Sequence, residues 1–374
     1  ELADGAIIHV TYVVSNGEVA NGIRGENAFV FRGSVYDYFG GAVSDKPIVT
    51  NVSTSNGGSS IESVPSVKFR APKSYAAQNR CVTPSDYETI IRTIYPGIDD
   101  MYVYGGETLE IPEYGRVYVV IKPTSGEYLS NSTKNYIKKS LEPFRIASLD
   151  IVMEDPEILY VEAESTVFYD EQTTTKDSTA IIADVKSTLT DFSNSDIVAR
   201  FGGSVRYSRI VGAIDDADDS ITRNNTILRM RKNMVALENT AATYEVCFNN
   251  PLRIDNTRSV VYSTGFMFPN DDIVYYFKNE PQSLDSDEGR IYLFYFDEFN
   301  EEVIVNKDFG TIDYIKGEIL IGFQKSVTIS STTLANNIIE VRSYPLEMGQ
   351  DINGKGTIYL SFDVSKSTIA ALVD

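Results

Sequence analysis

At 374 residues the chain is long enough for two or three domains with cores of their own, and 42% apolar with 23% charged residues is the make-up of a folded globular protein. Its 53 acidic against 33 basic residues give a formal charge of −20, which repels phosphate backbones and anionic lipid and so excludes nucleic acid and membrane as expected partners. Only two cysteines occur, Cys81 and Cys247, which favours a reducing compartment, and no apolar run approaches the roughly 18 residues of a membrane helix.

In chain order, Ala6–Val14 reads as a strand that starts almost at once, followed by a Gly- and Asn-rich turn over 16–27 and a second strand at 28–31. A domain rarely opens in mid-sheet, so the expectation is that a preceding N-terminal part is missing. Residues 40–66 are rich in Gly, Ser, Thr and Asn, which marks a loop or a boundary between domains. Thr83-Pro84-Ser85-Asp86 is a helix start: a capping threonine, a proline in the first turn and an acid facing the positive end of the dipole. Tyr87, Ile90, Ile91 and Ile94 then give an apolar stripe that ends at Pro96-Gly97. Strands are predicted at Met101–Tyr104 and Arg116–Lys122, and a helix at about 131–142.

Ile158–Tyr169 is the strongest strand signal, with Leu159, Val161, Ala163, Ser165 and Val167 alternating against Tyr160, Glu162, Glu164, Thr166 and Phe168. A third helix is predicted from Ser178 to about Phe192, and 203–232 reads as two short strands around the acidic turn Asp215–Asp219. Beyond 243 only strands appear, about a dozen residues apart, the pattern of an antiparallel sandwich or open barrel. The expected architecture is multidomain, α+β with all-β regions. An end of a β-rich N-terminal domain with its linker covers 1–70. A small α+β sandwich, helices on one face of a sheet, covers 71–235, and an antiparallel β domain covers 236–374.

No residue pattern carries catalysis. The single histidine, His9, has no Cys or His at metal-ligand spacing and reads as a strand-surface residue. Asp215–Asp219 lacks the central glycine of a calcium loop, and Asp285–Gly289 puts glycine where a ligand is needed and Phe296 where glutamate belongs. Gly57-Gly58 has no P-loop lysine, and Gly202-Gly203 fits a helix C-cap. Cys81 precedes a helix start that would lower its pKa, yet no base accompanies it and a structural thiol is the plainer reading. No cofactor, metal or catalytic residue is expected. A hydrolase built on a carboxylate pair and a glycan-binding surface module made by the C-terminal strands are the alternatives from other classes.

The stretch Arg80-Cys81-Val82-Thr83-Pro84-Ser85-Asp86-Tyr87 resembles the R-x-V-T-x-x-D-Y/F element of the baseplate J-like family of contractile phage tails, above all its wedge members from T-even-type myophages. Further stretches resemble that family in the same order: Asp4–Val14 with the Ser15–Gly22 turn, Lys122-Pro123-Thr124-Ser125-Gly126-Glu127-Tyr128-Leu129, Tyr136–Lys139 and Val211–Asp219. They span about 1–235, and from about 240 onward no motif is recognised. The resemblance implies a structural wedge subunit that pairs with itself, joins neighbouring wedges into the inner baseplate ring, and binds other wedge proteins. That ring holds the sheathed tail and then triggers contraction. It further implies a place in the virion tail baseplate after assembly in the host cytoplasm. Arg80, Val82, Thr83, Asp86 and Tyr87 are its candidate motif residues, with structural and not catalytic roles.

Overall fold

In the computed structural model, the described residues are 7, 9, 14, 16–20, 31–44, 58 and 61–374, except 110, 147, 196, 197, 282–285 and 323–325. The strands expected over 6–14 and 28–31 lie almost wholly outside them, as does most of the loop read over 40–66. The chain divides into two compact units, Glu1–Asp155 and Pro156–Asp374.

In the first unit, helix α1 (Val64–Ala77) runs through the stretch expected to be linker. Pro65 and Pro72 and the absence of a clear apolar stripe hide it in the sequence, and of its side chains only Ala77 is buried. Helix α2 (Pro84–Ile94) precedes strands β1 (Ile98–Gly105) and β2 (Arg116–Pro123). Helix α3 (Asn131–Leu141) then crosses to β3 (Asp150–Glu154). The sheet order is β1-β2-β3, antiparallel then parallel. Tyr87 and Ile91 of α2 and Ile137 and Leu141 of α3 pack with Val103, Val119, Ile121 and Ile151, which is one core made from two helical stripes and the facing side of the sheet.

The second unit is organised around β4 (Glu157–Tyr169). Helices α4 (Ser178–Ser193) and α5 (Tyr207–Asp215) follow, then the fifteen-residue β5 (Ile221–Val235). Nine further strands matter here: β6 (Tyr244–Cys247), β7 (Tyr262–Ser263), β8 (Tyr275–Asn279), β9 (Glu288–Phe296), β10 (Glu302–Asp313), β11 (Glu318–Ile321), β12 (Ile338–Ser343), β13 (Ile358–Phe362) and β14 (Thr368–Val373). The sheet runs β6-β11-β10-β9-β8-β7-β12-β5-β4-β13, with β14 also beside β4. The apolar positions of β4 face α4 and α5, where Val161, Ala163 and Val167 meet Ile181, Val185, Leu189, Ile210 and Ile214.

Three differences from the sequence reading have physical causes. The middle region 71–235 is not one unit, because the break falls at Asp155/Pro156, between β3 and β4. Residues 207–215 form a helix where a short strand was expected, since Tyr207, Ile210 and Ile214 share one helical face. No side chain caps its N-terminus, so the usual start signal is missing. The C-terminal strands do not form a separate antiparallel domain. β12 pairs with β5, and both β13 and β14 lie parallel to β4. Parallel partners so far apart in sequence leave no turn signal between them.

Between β13 and β14 the ladder to β4 is interrupted, and Ser367 fills the gap. Its Oγ accepts from the Ala163 N–H at 2.9 Å and donates to the Asp363 carbonyl at 2.8 Å. Ser367→Ala therefore leaves a buried N–H without its acceptor, and a loss of about 1–3 kcal/mol in urea unfolding is expected. An unchanged midpoint would show that the hydroxyl does not bridge the break.

Candidate functional site: a capped helix and a charged sheet face

The Arg80–Tyr87 stretch builds the entry to α2. Thr83 Oγ1 accepts from the Asp86 N–H at 3.3 Å, and an Asp86 carboxylate oxygen accepts from the Thr83 N–H at 2.8 Å and the Val82 N–H at 3.2 Å. This is a reciprocal capping box in which threonine and aspartate each satisfy an unpaired helix-end donor. Slight burial works to raise the Asp86 pKa, but these hydrogen bonds and the Arg80 charge together hold it below its ordinary value. Tyr87 is 1% exposed under the helix, Val82 is exposed, and Arg80 donates to Gln78 Oε1 at 3.1 Å. The Cys81 thiol is buried, and burial, then the Asp86 charge, pushes its pKa up to about 12. The helix start therefore does not make it a thiolate.

The second unit presents a feature that periodicity alone did not reveal. Glu162 and Glu164, even-numbered residues of β4, belong to a layer of charge on the face away from α4 and α5. Glu162 is 0% exposed and receives Arg229 (Nη2 at 2.7 Å, Nε at 3.0 Å), Arg231 Nε at 2.5 Å and Arg342 Nε at 3.3 Å. Arg231 reaches on to Asp363 at 2.5 Å and Glu340 at 3.4 Å, and its guanidinium lies 4.1 Å from the Tyr160 ring centre. Arg229 also pairs with Glu164, and Arg342 and Lys366 with Glu340.

The register explains the arrangement. Glu162 stands directly across from Arg229, while Arg231 and Arg342 face each other across β5 and β12. Like charges opposite one another are unfavourable unless an anion sits between them, and Glu162 and Glu340 supply it. Four carboxylates (Glu162, Glu164, Glu340, Asp363) balance four cations (Arg229, Arg231, Arg342, Lys366), so the layer is neutral within an acidic chain. Alternation along β4 placed Glu162 on this face. The partners come from residues 342 and 363, which no local pattern connects to it.

The acidic turn after α5 is occupied by side chains of the chain itself. Asp218 pairs with Lys176 at 2.5 Å and accepts from Ser220 Oγ at 2.5 Å, and Asp215 accepts from Asn224 at 2.7 Å. In the second acidic cluster, Ser286 donates to the Glu288 carbonyl at 2.7 Å within the turn, and Asp285 lies outside the described residues. His9 is exposed, with neighbours outside the described residues. Among the described residues one further group of potential ligands comes together, Glu245, Cys247 and Glu318, with ligand atoms within 4.8 Å of one another. The cross-strand pair Cys247–Glu318 creates it, a signal absent from spacing. The Cys247 thiol donates to Glu245 at 3.2 Å, and burial followed by that carboxylate pushes its pKa up to about 12.

Three outcomes follow from this geometry. Glu162→Ala removes the buried carboxylate that three guanidinium groups share, leaving the layer one cation in excess, and is expected to cost about 3–5 kcal/mol in urea unfolding, whereas Glu164→Ala, nearer the rim, costs about 0–1 kcal/mol. Equal losses would refute the hierarchy. Thr83→Ala removes half of the capping box, and about 1 kcal/mol is expected at the unfolding midpoint. Hydrogen bonds from Lys176 and Ser220 lower the Asp218 pKa to about 2. The folded value lies below the unfolded one, so the pair stabilises fully above about pH 4 and loses its contribution as pH falls towards 2. Asp218→Asn should flatten that part of an acid titration of stability, and an unchanged acid limb would count against the pair.

Two family profiles match within this architecture. "Baseplate structural protein gp6, C-terminal domain I" covers residues 83–153, and "Baseplate structural protein gp6, C-terminal domain III" covers residues 157–233. The gap between them falls on the division at Asp155/Pro156. The chain is 21% identical over 260 residues to the baseplate wedge protein gp6 of Enterobacteria phage T4, covering 68% of this chain and 38% of that protein. A chain in the 6-fold-symmetrised cryo-EM structure of the anti-feeding prophage baseplate shows 16% identity and a TM-score of 0.35, over 50% of this chain and 41% of that one. Through residues 83–153 and 157–233 the chain is similar to the gp6 family of baseplate structural proteins.

Proposed function

We propose that the chain is a structural subunit of a contractile-tail baseplate wedge, which self-associates and joins neighbouring wedges into the inner ring that holds the sheath and then triggers its contraction. The observation that carries this reading is the ordered match of two gp6 C-terminal domains on either side of the structural break at Asp155/Pro156. The chain spans 38% of the T4 relative, so the activities of the whole protein come to it only through this proposal. Its place is the virion tail baseplate, with assembly in the host cytoplasm, and its partners are further copies of itself and other wedge proteins.

The chemistry of the chain supports a part whose product is an interface. Both thiols are held protonated, and the most concentrated charge is spent internally, strand against strand. A sheet locked by such a cluster resists sliding of its strands, because a one-residue slip would move every charged side chain to the opposite face. That is a useful property in a ring that bears load.

Immunogold labelling of virions with antibody raised against this chain is expected to decorate the baseplate end of the tail. Label confined to the head or tail tube would overturn the proposal. Self-association is checked separately by sedimentation equilibrium, where a mass that stays monomeric as concentration rises would remove that part of it.

A further inference from the structure

The β9–β10 hairpin carries large apolar side chains outward. Ile304 and Val305 are consecutive and so point to opposite faces of β10, yet both stay about half exposed, at 42% and 51%. Neither face of the strand is buried there, and the end of the hairpin stands clear of the core. Phe296, the last residue of β9, is 41% exposed, and Phe299 in the turn is 84% exposed. Behind Phe296 the aromatic stripe continues inward through Phe294 and Tyr276, with ring centres 5.4–5.8 Å apart.

The turn holds Phe299 in one place. The Asp297 N–H donates to the Glu301 carbonyl and the Asn300 N–H to the Asp297 carbonyl, both at 3.0 Å. Asp297 Oδ1 accepts from the Phe299 N–H at 2.9 Å and from the Glu301 N–H at 2.8 Å. Asn300 takes the left-handed conformation, φ 61°, that asparagine tolerates. An aromatic side chain on so fixed a backbone has little ordering left to do when it meets a partner, and such side chains are the usual anchors of protein interfaces.

The geometry points to this turn as a plug for a different protein: Phe299 enters an apolar pocket whose rim carries lysine or arginine. The inference rests on the wedge reading above and gives the contact with other wedge proteins a surface. Charge selects the occupant. Asp297, Glu298 and Glu301 flank Phe299 in the turn, and among the described residues none of the three has a basic partner, whereas Glu302 is paired with Lys278. Against an apolar or acidic surface those three carboxylates would lose water and gain no counter-charge, which is costly. Against a basic rim they steer the encounter and fix its orientation. The same charge repels anionic lipid and nucleic acid, and at −20 a second copy of the chain is the poorer partner.

Variants of the full chain, supplied from a plasmid during infection, compete with the phage's own copy for places in the virion, and mass spectrometry reads their share. Phe299→Ser, and Glu298→Lys combined with Glu301→Lys, should each be incorporated about ten-fold less than a plasmid-borne wild-type chain. All three positions are exposed, and melting temperatures equal to wild type verify the fold. Phe299→p-benzoylphenylalanine then identifies the pocket. Irradiated virions should yield a cross-link to a chain other than this one, beside a lysine or arginine. Exchanging that basic residue for glutamate should restore incorporation of the double lysine variant. Equal incorporation of folded variants, no cross-link, or a cross-link to a second copy or to a surface without a basic residue overturns the plug and leaves the wedge reading standing. A variant with a lowered melting temperature is set aside, and the cross-link decides. A wild-type chain that does not enter the baseplate overturns both.

Discussion

A single buried carboxylate holds the second unit in register. Glu162 lies on the central strand and collects arginines from β5 and β12, while Arg231 carries the connection to Asp363 after β13. Burial of so much charge is tolerable only because every member finds a counter-charge and hydrogen bonds. Such a cluster adds less net stability than the same volume of packed hydrocarbon, but it contributes specificity. Alternative pairings of these strands strand an arginine or an acid in a place water cannot reach. The rest of the sheet, from β12 out to β6, is joined to β4 through strands that this cluster aligns.

The two faces of β4 divide the work. Towards α4 and α5 the residues are aliphatic and their burial drives collapse, a force that is strong but indifferent to detail. Away from the helices they are ionic, and geometry there is specified atom by atom. The first unit achieves similar definition with less, using helical stripes over a three-stranded sheet and a capping box that fixes where α2 begins.

What was legible in the sequence was local. The threonine, proline and aspartate at 83–86 declared a helix start, and α2 runs from Pro84 to Ile94. The alternation of 158–169 declared a strand with one apolar face, and β4 spans Glu157–Tyr169. Short ordered elements pointed to the baseplate family whose gp6 profiles match residues 83–153 and 157–233. What was not legible depended on partners remote in sequence. Nothing near Glu162 announces Arg342, and nothing near Cys247 announces Glu318. The parallel placement of β13 and β14 against β4 likewise leaves no turn between partners. Helices α1 and α5 were missed for a local reason, since prolines in the first and the lack of a side-chain cap in the second remove the customary signs.

The Ser367 bridge has a consequence for the order of events during synthesis. It joins residues 204 apart in the chain, and β14 closes over the same strand. Until the ribosome has delivered that stretch, β4 has one side bare, and the helices α4 and α5 have an incomplete floor to settle on. Contacts of such long range make folding slow, and a strand left waiting is open to pairing with other chains. The first unit, whose partners are all supplied before residue 156, is free to fold as it emerges. The two matched domains therefore mature on different clocks, and a factor that shields nascent strands has its natural client in the second.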